Sequence, residues 1–169
     1  MKKILVALSF LVFQISLLGM SINNKKTDME VTVAKVKEGY QFTVKAPTTG
    51  WVGIGFEASM IMKDAEMIIM TNKDGKGFVE HYYGTGATKV SSISTLDKNY
   101  KNDNLKLISY NSDGKNSTYV FLRTESIKGN YFKKLDGSKE IKVLYAWSET
   151  TDMNKKHKKS VIEKIKLPN

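Results

Sequence analysis

Alternation of apolar and polar residues, present almost throughout, is the feature that most restricts how this chain can fold. Runs with a period of two recur along the sequence, and that period places successive side chains on opposite faces of a β-strand. Asp-Gly pairs at 74–75, 113–114 and 136–137 separate several runs, and both residues of such a pair tolerate the positive φ of a tight turn. No segment has the apolar stripe of a helix, although the polar connection 91–104 has room for a single turn. The pattern predicts an all-β, single-domain antiparallel β-sandwich with nine strands, at 31–36, 40–44, 52–56, 66–71, 78–83, 105–110, 118–123, 141–147 and 161–167.

The first 21 residues have the pattern of a secretory signal peptide. Two lysines precede an apolar run from 4 to 18, and small residues follow at 19 and 21. The run is shorter than the ~20 residues that span a bilayer, and without a cysteine after it no lipoprotein anchor can form. We expect cleavage after Ser21, a mature domain over 22–169 with no membrane span, and a secreted or periplasmic location.

The lack of cysteine and the basic charge narrow the classes of function. A chain without cysteine has no disulfide, thiolate metal site, iron–sulfur cluster or covalently attached c-type haem. The net charge is +10, but Arg123 is the only arginine, whereas nucleic-acid contacts favour the bidentate guanidinium. Nucleic acid is therefore not an expected partner. The charge is most simply a solvated lysine surface, and attraction of an acidic surface or protein is the alternative.

The segment 50–56, Gly-Trp-Val-Gly-Ile-Gly-Phe, is the most informative local feature. Alternation places the apolar residues at 52, 54 and 56 on one face and Trp51, Gly53 and Gly55 on the other. A strand face without side chains lets another group approach the backbone closely. That group is either a neighbouring strand or side chain, or a flat ligand lying against the sheet.

Histidine and methionine are the candidate ligands for a bound iron. A histidine nitrogen and a methionine sulfur on opposite sides of a haem iron form a known electron-transfer ligation. Met67 and Met70 belong to an apolar run and are interpreted as core packing. Met60 and Met62 lie in the loop that follows the strand 52–56. His157 lies among four lysines and is most simply interpreted as a surface residue. His81, in a strand, is interpreted as a satisfied or exposed histidine.

Four segments together resemble the DOMON family. Residues 50–56 followed by 62–66, Met-Lys-Asp-Ala-Glu, are similar to its W-x-x-I-G-F strand and M-x-G-A-D loop, with Asp64 and Glu66 in place of glycine and aspartate. The segments 120–123 and 144–147, and His157 before a closing strand, complete the resemblance.

The resemblance implies an immunoglobulin-like β-sandwich that binds either non-covalent b-type haem or a sugar. In the haem-binding members, similar to the cytochrome domain of cellobiose dehydrogenase, the ligands match Met62 and His157 here, with Met60 as the alternate sulfur. A macrocycle would lie against Gly53 and Gly55.

Arg123 has two interpretations. Its planar fork suits a haem propionate, and it equally suits a structural ion pair with a loop carboxylate such as Asp64 or Glu66.

Catalytic motifs are missing from the sequence: it has no G-x-S-x-G elbow, no H-E-x-x-H and no phosphate-binding glycine loop. The chain is therefore interpreted as a binding or electron-transfer module rather than an enzyme. Three hypotheses follow: a haem module with a redox partner in the periplasm or membrane, a carbohydrate-binding module, and an interaction protein with a basic face. In the second, Trp51, Tyr82, Tyr83 or Trp147 would stack on a sugar ring.

Overall fold

The computed structural model of the chain describes residues 19–125 and 129–169. These residues form eleven strands, one short helix and one 3-10 turn. In chain order they are β1 (Gly19–Asn24), β2 (Met29–Val36), β3 (Gly39–Ala46), β4 (Val52–Phe56), β5 (Glu66–Lys73), β6 (Lys76–Gly84), β7 (Val90–Ser92), α1 (Ile93–Leu96), the 3-10 turn (Asn102–Asn104), β8 (Leu105–Ser112), β9 (Ser117–Thr124), β10 (Glu140–Trp147) and β11 (Lys159–Lys166). Neither α1 nor the turn approaches the length and apolarity that a membrane-spanning helix requires, and the described residues contain no other helix.

Two antiparallel sheets pack face to face as an immunoglobulin-like sandwich, which confirms the predicted fold class. The five-stranded sheet has the order β1-β2-β3-β9-β8, and the six-stranded sheet has the order β11-β10-β4-β5-β6-β7. All nine predicted strands are present, and α1 and the 3-10 turn lie in the connection where a helical turn was expected.

The strands β1 and β7 are not predicted from the sequence. Residues 1–18 of the predicted signal peptide lie outside the described residues, and residues 19–21 begin β1, which pairs with β2. Cleavage after Ser21 therefore stays a prediction. β7 has only three residues and pairs with the end of β6, so it is too short to show a period.

The main core fills the space between the sheets. Val52, Ile54 and Phe56 of β4 all face it and are almost fully buried, as their alternation predicts. Phe42 and Phe121 are partners on neighbouring strands of the five-stranded sheet, and their rings stack with centroids 5.2 Å apart. Across the interior, the ring of Phe42 meets that of Phe56 with centroids 5.8 Å apart. This core supports β4 from one side and leaves its other face free for a different role.

Two of the three Asp-Gly pairs close hairpins. Asp74-Gly75 joins β5 to β6 with φ of 51° and 73°, as a two-residue turn requires. Gly114, with φ of 83°, lies in the turn between β8 and β9. The pair at 136–137 is not a hairpin turn, because it lies in the connection that carries the chain from β9 in one sheet to β10 in the other.

The six-stranded sheet is apolar on both faces. Residues 66–70 of β5 are buried without interruption. Ile68 and Met70 point into the main core, while Met67 and Ile69 join a second cluster with Trp51 on the outer face. A sheet buried on both sides reads as a continuous apolar run rather than an alternating one. Something other than the five-stranded sheet must therefore cover this outer face.

Candidate functional site

A cavity of about 480 Å³ lies over the outer face of the six-stranded sheet and is called the outer cavity here. Its volume is in the range of sites that hold small organic ligands, about 300–1,000 Å³. Three loops enclose it: β4–β5, β6–β7 and β10–β11. Its lining is mostly apolar and comprises Trp51, Gly53, Ile54, Gly55, Ile61, Met62, Met67, Ile69, Ala87, Thr88, Val90, Leu144, Ala146, Met153, Asn154, Lys155, Lys156 and His157.

The two glycines of β4 form part of the cavity floor. A Cβ on Gly55 would lie 3.2 Å from Cγ of Met67, and one on Gly53 would lie 3.1 Å from Cδ1 of Ile69. The six-membered ring of Trp51 lies beside Gly53, with Cζ3 3.7 Å from that Cβ position. Neighbouring side chains therefore crowd the floor at the level of Cβ, and the space for a ligand lies above them.

Met62 reaches the cavity from the β4–β5 loop, which backbone hydrogen bonds hold in place. The amide of Lys63 donates to the carbonyl of Met60 (2.8 Å), and the amide of Ala65 donates to the carbonyl of Met62 (3.1 Å). The carbonyl of Met62 packs so closely on Gly84 that any side chain there would collide with it.

Asp64 anchors the same loop. Its carboxylate accepts a hydrogen bond from the Ser59 hydroxyl (2.6 Å), which lowers the pKa of Asp64 below its ordinary value. Its backbone φ of 61° is in the left-handed region that glycine favours, which accounts for the glycine that the family pattern has there.

Met60 is placed differently from Met62. Its side chain is 56% exposed and is not part of the cavity lining. Of the two loop methionines predicted as ligands, only Met62 lines the outer cavity.

His157 lies on the other lip, in the β10–β11 loop. The amide of Lys158 donates to the carbonyl of Trp147 (2.8 Å), which ties the loop to the end of β10. Burial lowers the pKa of His157, and the charge of Lys156 lowers it further. The imidazole is therefore mainly neutral at pH 7, the form that binds a metal.

Two further methionines line the outer cavity. Met67 is buried in the second cluster, so its interpretation as core packing is confirmed, and it also lines the outer cavity, whereas Met70 lies in the main core. Met153 belongs to the β10–β11 loop and lines the cavity as well. The continuous apolar run of β5 is the signal that could have identified Met67, because it indicates burial on both faces. Nothing in the local sequence marks Met153.

Arg123 is not brought to the outer cavity. Its Nε and Nη2 donate to the two carboxylate oxygens of Glu66, both at 2.7 Å, so the structural ion pair is the interpretation that the geometry supports. Both side chains are buried between the sheets. Burial alone would raise the pKa of Glu66, but the hydrogen bonds and charge of Arg123, with the nearby His81, outweigh it and hold the pKa at about 2.

A short polar network extends this ion pair. His81 is buried, and its Nε2 lies 3.3 Å from Oε1 of Glu66. Its Nδ1 contacts the Tyr100 hydroxyl at 2.6 Å, and that hydroxyl donates to Asn102 (2.7 Å). His81 is thus a buried residue of the interior, which removes the exposed alternative.

Comparisons with known proteins agree with this architecture. The profile of the family described as DOMON domain matches residues 23–148. The cytochrome domain of Myriococcum thermophilum cellobiose dehydrogenase superimposes with a TM-score of 0.65 and 13% sequence identity, covering 89% of this chain and 81% of that one. The cytochrome b domain of pyranose dehydrogenase from Coprinopsis cinerea gives a TM-score of 0.60 and 12% identity, covering 86% and 80%. Among curated proteins, no sequence matches significantly.

Proposed function

Because the chain belongs to the DOMON domain family, we propose that it is an exported b-type haem-binding module that transfers single electrons. In this proposal Met62 and His157 are the axial ligands, and Trp51, Gly53 and Gly55 form the wall on which the macrocycle lies. The haem is held without covalent attachment, because the chain has no cysteine. The module exchanges electrons with a partner in the periplasm or membrane and catalyses no reaction itself.

The observation that carries this proposal is the meeting of two loops over one cavity. Met62 comes from the β4–β5 loop and His157 from the β10–β11 loop, and both line the outer cavity. The cavity has an apolar floor, which suits a flat, largely apolar ligand. The two donors and the floor therefore fit a haem.

The chemistry of the donors fits electron transfer. A haem with both axial positions filled passes electrons and leaves no vacant position for oxygen. Burial keeps the His157 imidazole neutral, so its lone pair is free to bind iron. The thioether of Met62 is uncharged and polarisable and needs no deprotonation.

The carbohydrate-binding alternative requires an exposed aromatic platform. Trp51 and Trp147 are only 6% and 4% exposed, and the Trp147 indole donates to the carbonyl of Thr27 (2.7 Å). Trp147 belongs to the main core and cannot stack on a sugar, and Trp51 can meet a ligand only as part of the wall of the outer cavity. Tyr82 and Tyr83 are half-buried, and the hydroxyl of Tyr83 donates to Asp64. No observation favours this alternative over haem.

Titration of the purified protein with haem tests the proposal. We expect a sharp Soret band that saturates at one haem per chain, and resolved α and β bands after reduction with dithionite. If the protein takes up no haem specifically, the proposed haem-binding function is wrong. Binding on a glycan panel by the same protein would then support the carbohydrate alternative.

A further inference from the structure

A second concavity adjoins the outer cavity and is formed almost entirely by basic side chains. This lysine groove has a volume of about 490 Å³ and is lined by Lys26, Lys156, His157, Lys158, Lys159 and Ser160. It shares Lys156 and His157 with the outer cavity. The groove therefore begins at the proposed iron ligand and extends outward over the protein surface.

The groove retains uncompensated positive charge. Lys158 pairs with Glu149, and Lys159 pairs with Asp28. By contrast, the exposed Lys26, Lys155 and Lys156 have no ion-pair partner among residues 19–125 and 129–169. In a chain with a net charge of +10, Lys155 and Lys156 line the outer cavity beside the proposed haem ligand, and Lys26 lies in the groove that adjoins it.

The β4–β5 loop places apolar side chains at the opening of the outer cavity. Ile61 lines the outer cavity, and the side chains of Met60 and Ile61 are each 56% exposed. Ile61 has a φ of 52°, a left-handed conformation that is unfavourable for a β-branched residue. Such strain concentrates at functional sites, where the surrounding structure holds it in place. An exposed apolar pair with a strained backbone is typical of a contact surface.

We propose that the lysine groove, with Met60 and Ile61, is the docking surface for an acidic, convex face of a redox-partner protein. The inference rests on the proposed haem function, because docking here brings the partner beside His157. Carboxylates on the partner would complement the groove lysines and the adjoining Lys155 and steer the encounter, while Met60 and Ile61, on the opposite lip of the outer cavity, would contact apolar side chains.

The position of the lysines favours a protein over an anionic membrane. They lie beside His157, where a redox partner must bring its own electron carrier close to the haem, which a lipid headgroup does not have. A protruding protein surface can enter the groove and place its carboxylates against several lysines at once.

NMR titration of the ¹⁵N-labelled protein tests the inference, with flavodoxin as a defined acidic electron carrier. We expect shifts confined to amides around residues 26, 60–61 and 155–159, and their loss in high salt because exposed charge pairs are screened. The double variant Lys155→Glu/Lys156→Glu should weaken the affinity about tenfold or more. The control Lys106→Glu/Lys115→Glu makes the same charge change on and beside β8, in the other sheet, and should leave the affinity within about twofold.

Equal weakening by both double variants would overturn the inference, because it would show attraction to total charge rather than to this surface. Binding to phosphatidylglycerol vesicles that is lost in Lys155→Glu/Lys156→Glu, without localised flavodoxin shifts, would also overturn it and identify a membrane instead. The NMR titration needs no haem. A protein that takes up no haem can therefore be distinguished from one that does not bind flavodoxin at this surface.

Discussion

At the scale of single residues, Glu66 and Arg123 carry opposite charges inside the sandwich, where water cannot solvate them. Glu66 is fully buried and Arg123 is 2% exposed. The Arg123 guanidinium also donates to the carbonyl of Lys133, and the Lys133 amide donates to Glu66 (2.7 Å). The pair thus fixes β5, β9 and the β9–β10 connection to one another. Charge pairs of this kind destabilise a fold strongly when one member is removed.

Substitution Glu66→Gln should lower the free energy of unfolding by about 3–5 kcal/mol, because it leaves the Arg123 charge buried without compensation. Chemical denaturation followed by tryptophan fluorescence measures this. The double variant Glu66→Leu/Arg123→Met removes both charges and should be more stable than Glu66→Gln. A loss below about 1 kcal/mol in Glu66→Gln would contradict a structural role for the pair.

The sequence predicts the role of a single residue only where that residue type has one use. Arg123 has two, pairing with a haem propionate or with a loop carboxylate, because the sequence does not say which side of a strand the carboxylate faces. Glu66 starts β5 on the face that points to the main core, two positions before Ile68. Only the paired sheets show that Arg123 of β9 reaches it from the opposite sheet.

At the scale of elements, the two faces of β4 have different roles. One face carries the apolar residues of the main core, and the other carries Gly53 and Gly55 under the outer cavity. The period of two in the amino-acid sequence is sufficient to predict this division. The enclosing loops have no period, so the positions of Met60 and Met153 could not be predicted from the sequence.

Substitution Gly55→Leu should fill the cavity floor and prevent haem uptake. A side chain there meets Met67 and Leu144 at 3.2 and 3.4 Å, so overpacking should also cost about 1–3 kcal/mol of stability. Thr43→Leu is the control, since it adds the same side chain to the half-exposed outer side of β3, in the other sheet. If Gly55→Leu takes up haem as the wild type does in a haem titration, the haem does not lie against Gly55.

Substitution Gly84→Ala should displace the loop that carries Met62. The new Cβ would collide with the carbonyl oxygen of Met62, so the loop must move. We expect the reduced haem spectrum to change from low-spin to a mixture with high-spin iron. In the control Gly86→Ala the nearest atom is Cβ of Lys89 at 3.7 Å, an ordinary contact, and the spectrum should be unchanged. Identical spectra for the two variants would show that this loop does not position a ligand.

At the scale of the whole molecule, acid should unfold the protein partly through Glu66. Its pKa is about 2 in the folded state, below its ordinary 4.5, so the unfolded chain takes up the proton first as the pH falls. The stability from this group is complete above about pH 4.5 and is lost between pH 4.5 and 2. Denaturation across this range should show a steeper loss for the wild type than for Glu66→Gln. Parallel curves for the two proteins would contradict the assignment.

The whole fold was easier to predict from the sequence than the site. Nine apolar runs, most of them alternating, and two Asp-Gly hairpins specify most of the sandwich, since local backbone preferences and burial determine them. The assembly of the outer cavity depends on three loops that meet only after both sheets have formed. Met62 and His157 became candidate ligands only through the family resemblance, because two residues 95 positions apart carry no local signal.

The central claim is that Met62 and His157 bind a haem iron from opposite lips of the outer cavity. The absorption spectrum of the reduced, haem-loaded protein tests it most directly, measured for Met62→Leu, His157→Ala and the neighbouring control Met60→Leu. We expect a low-spin spectrum for the wild type and Met60→Leu, and loss of that spectrum in the other two variants. An unchanged low-spin spectrum in both Met62→Leu and His157→Ala would contradict it.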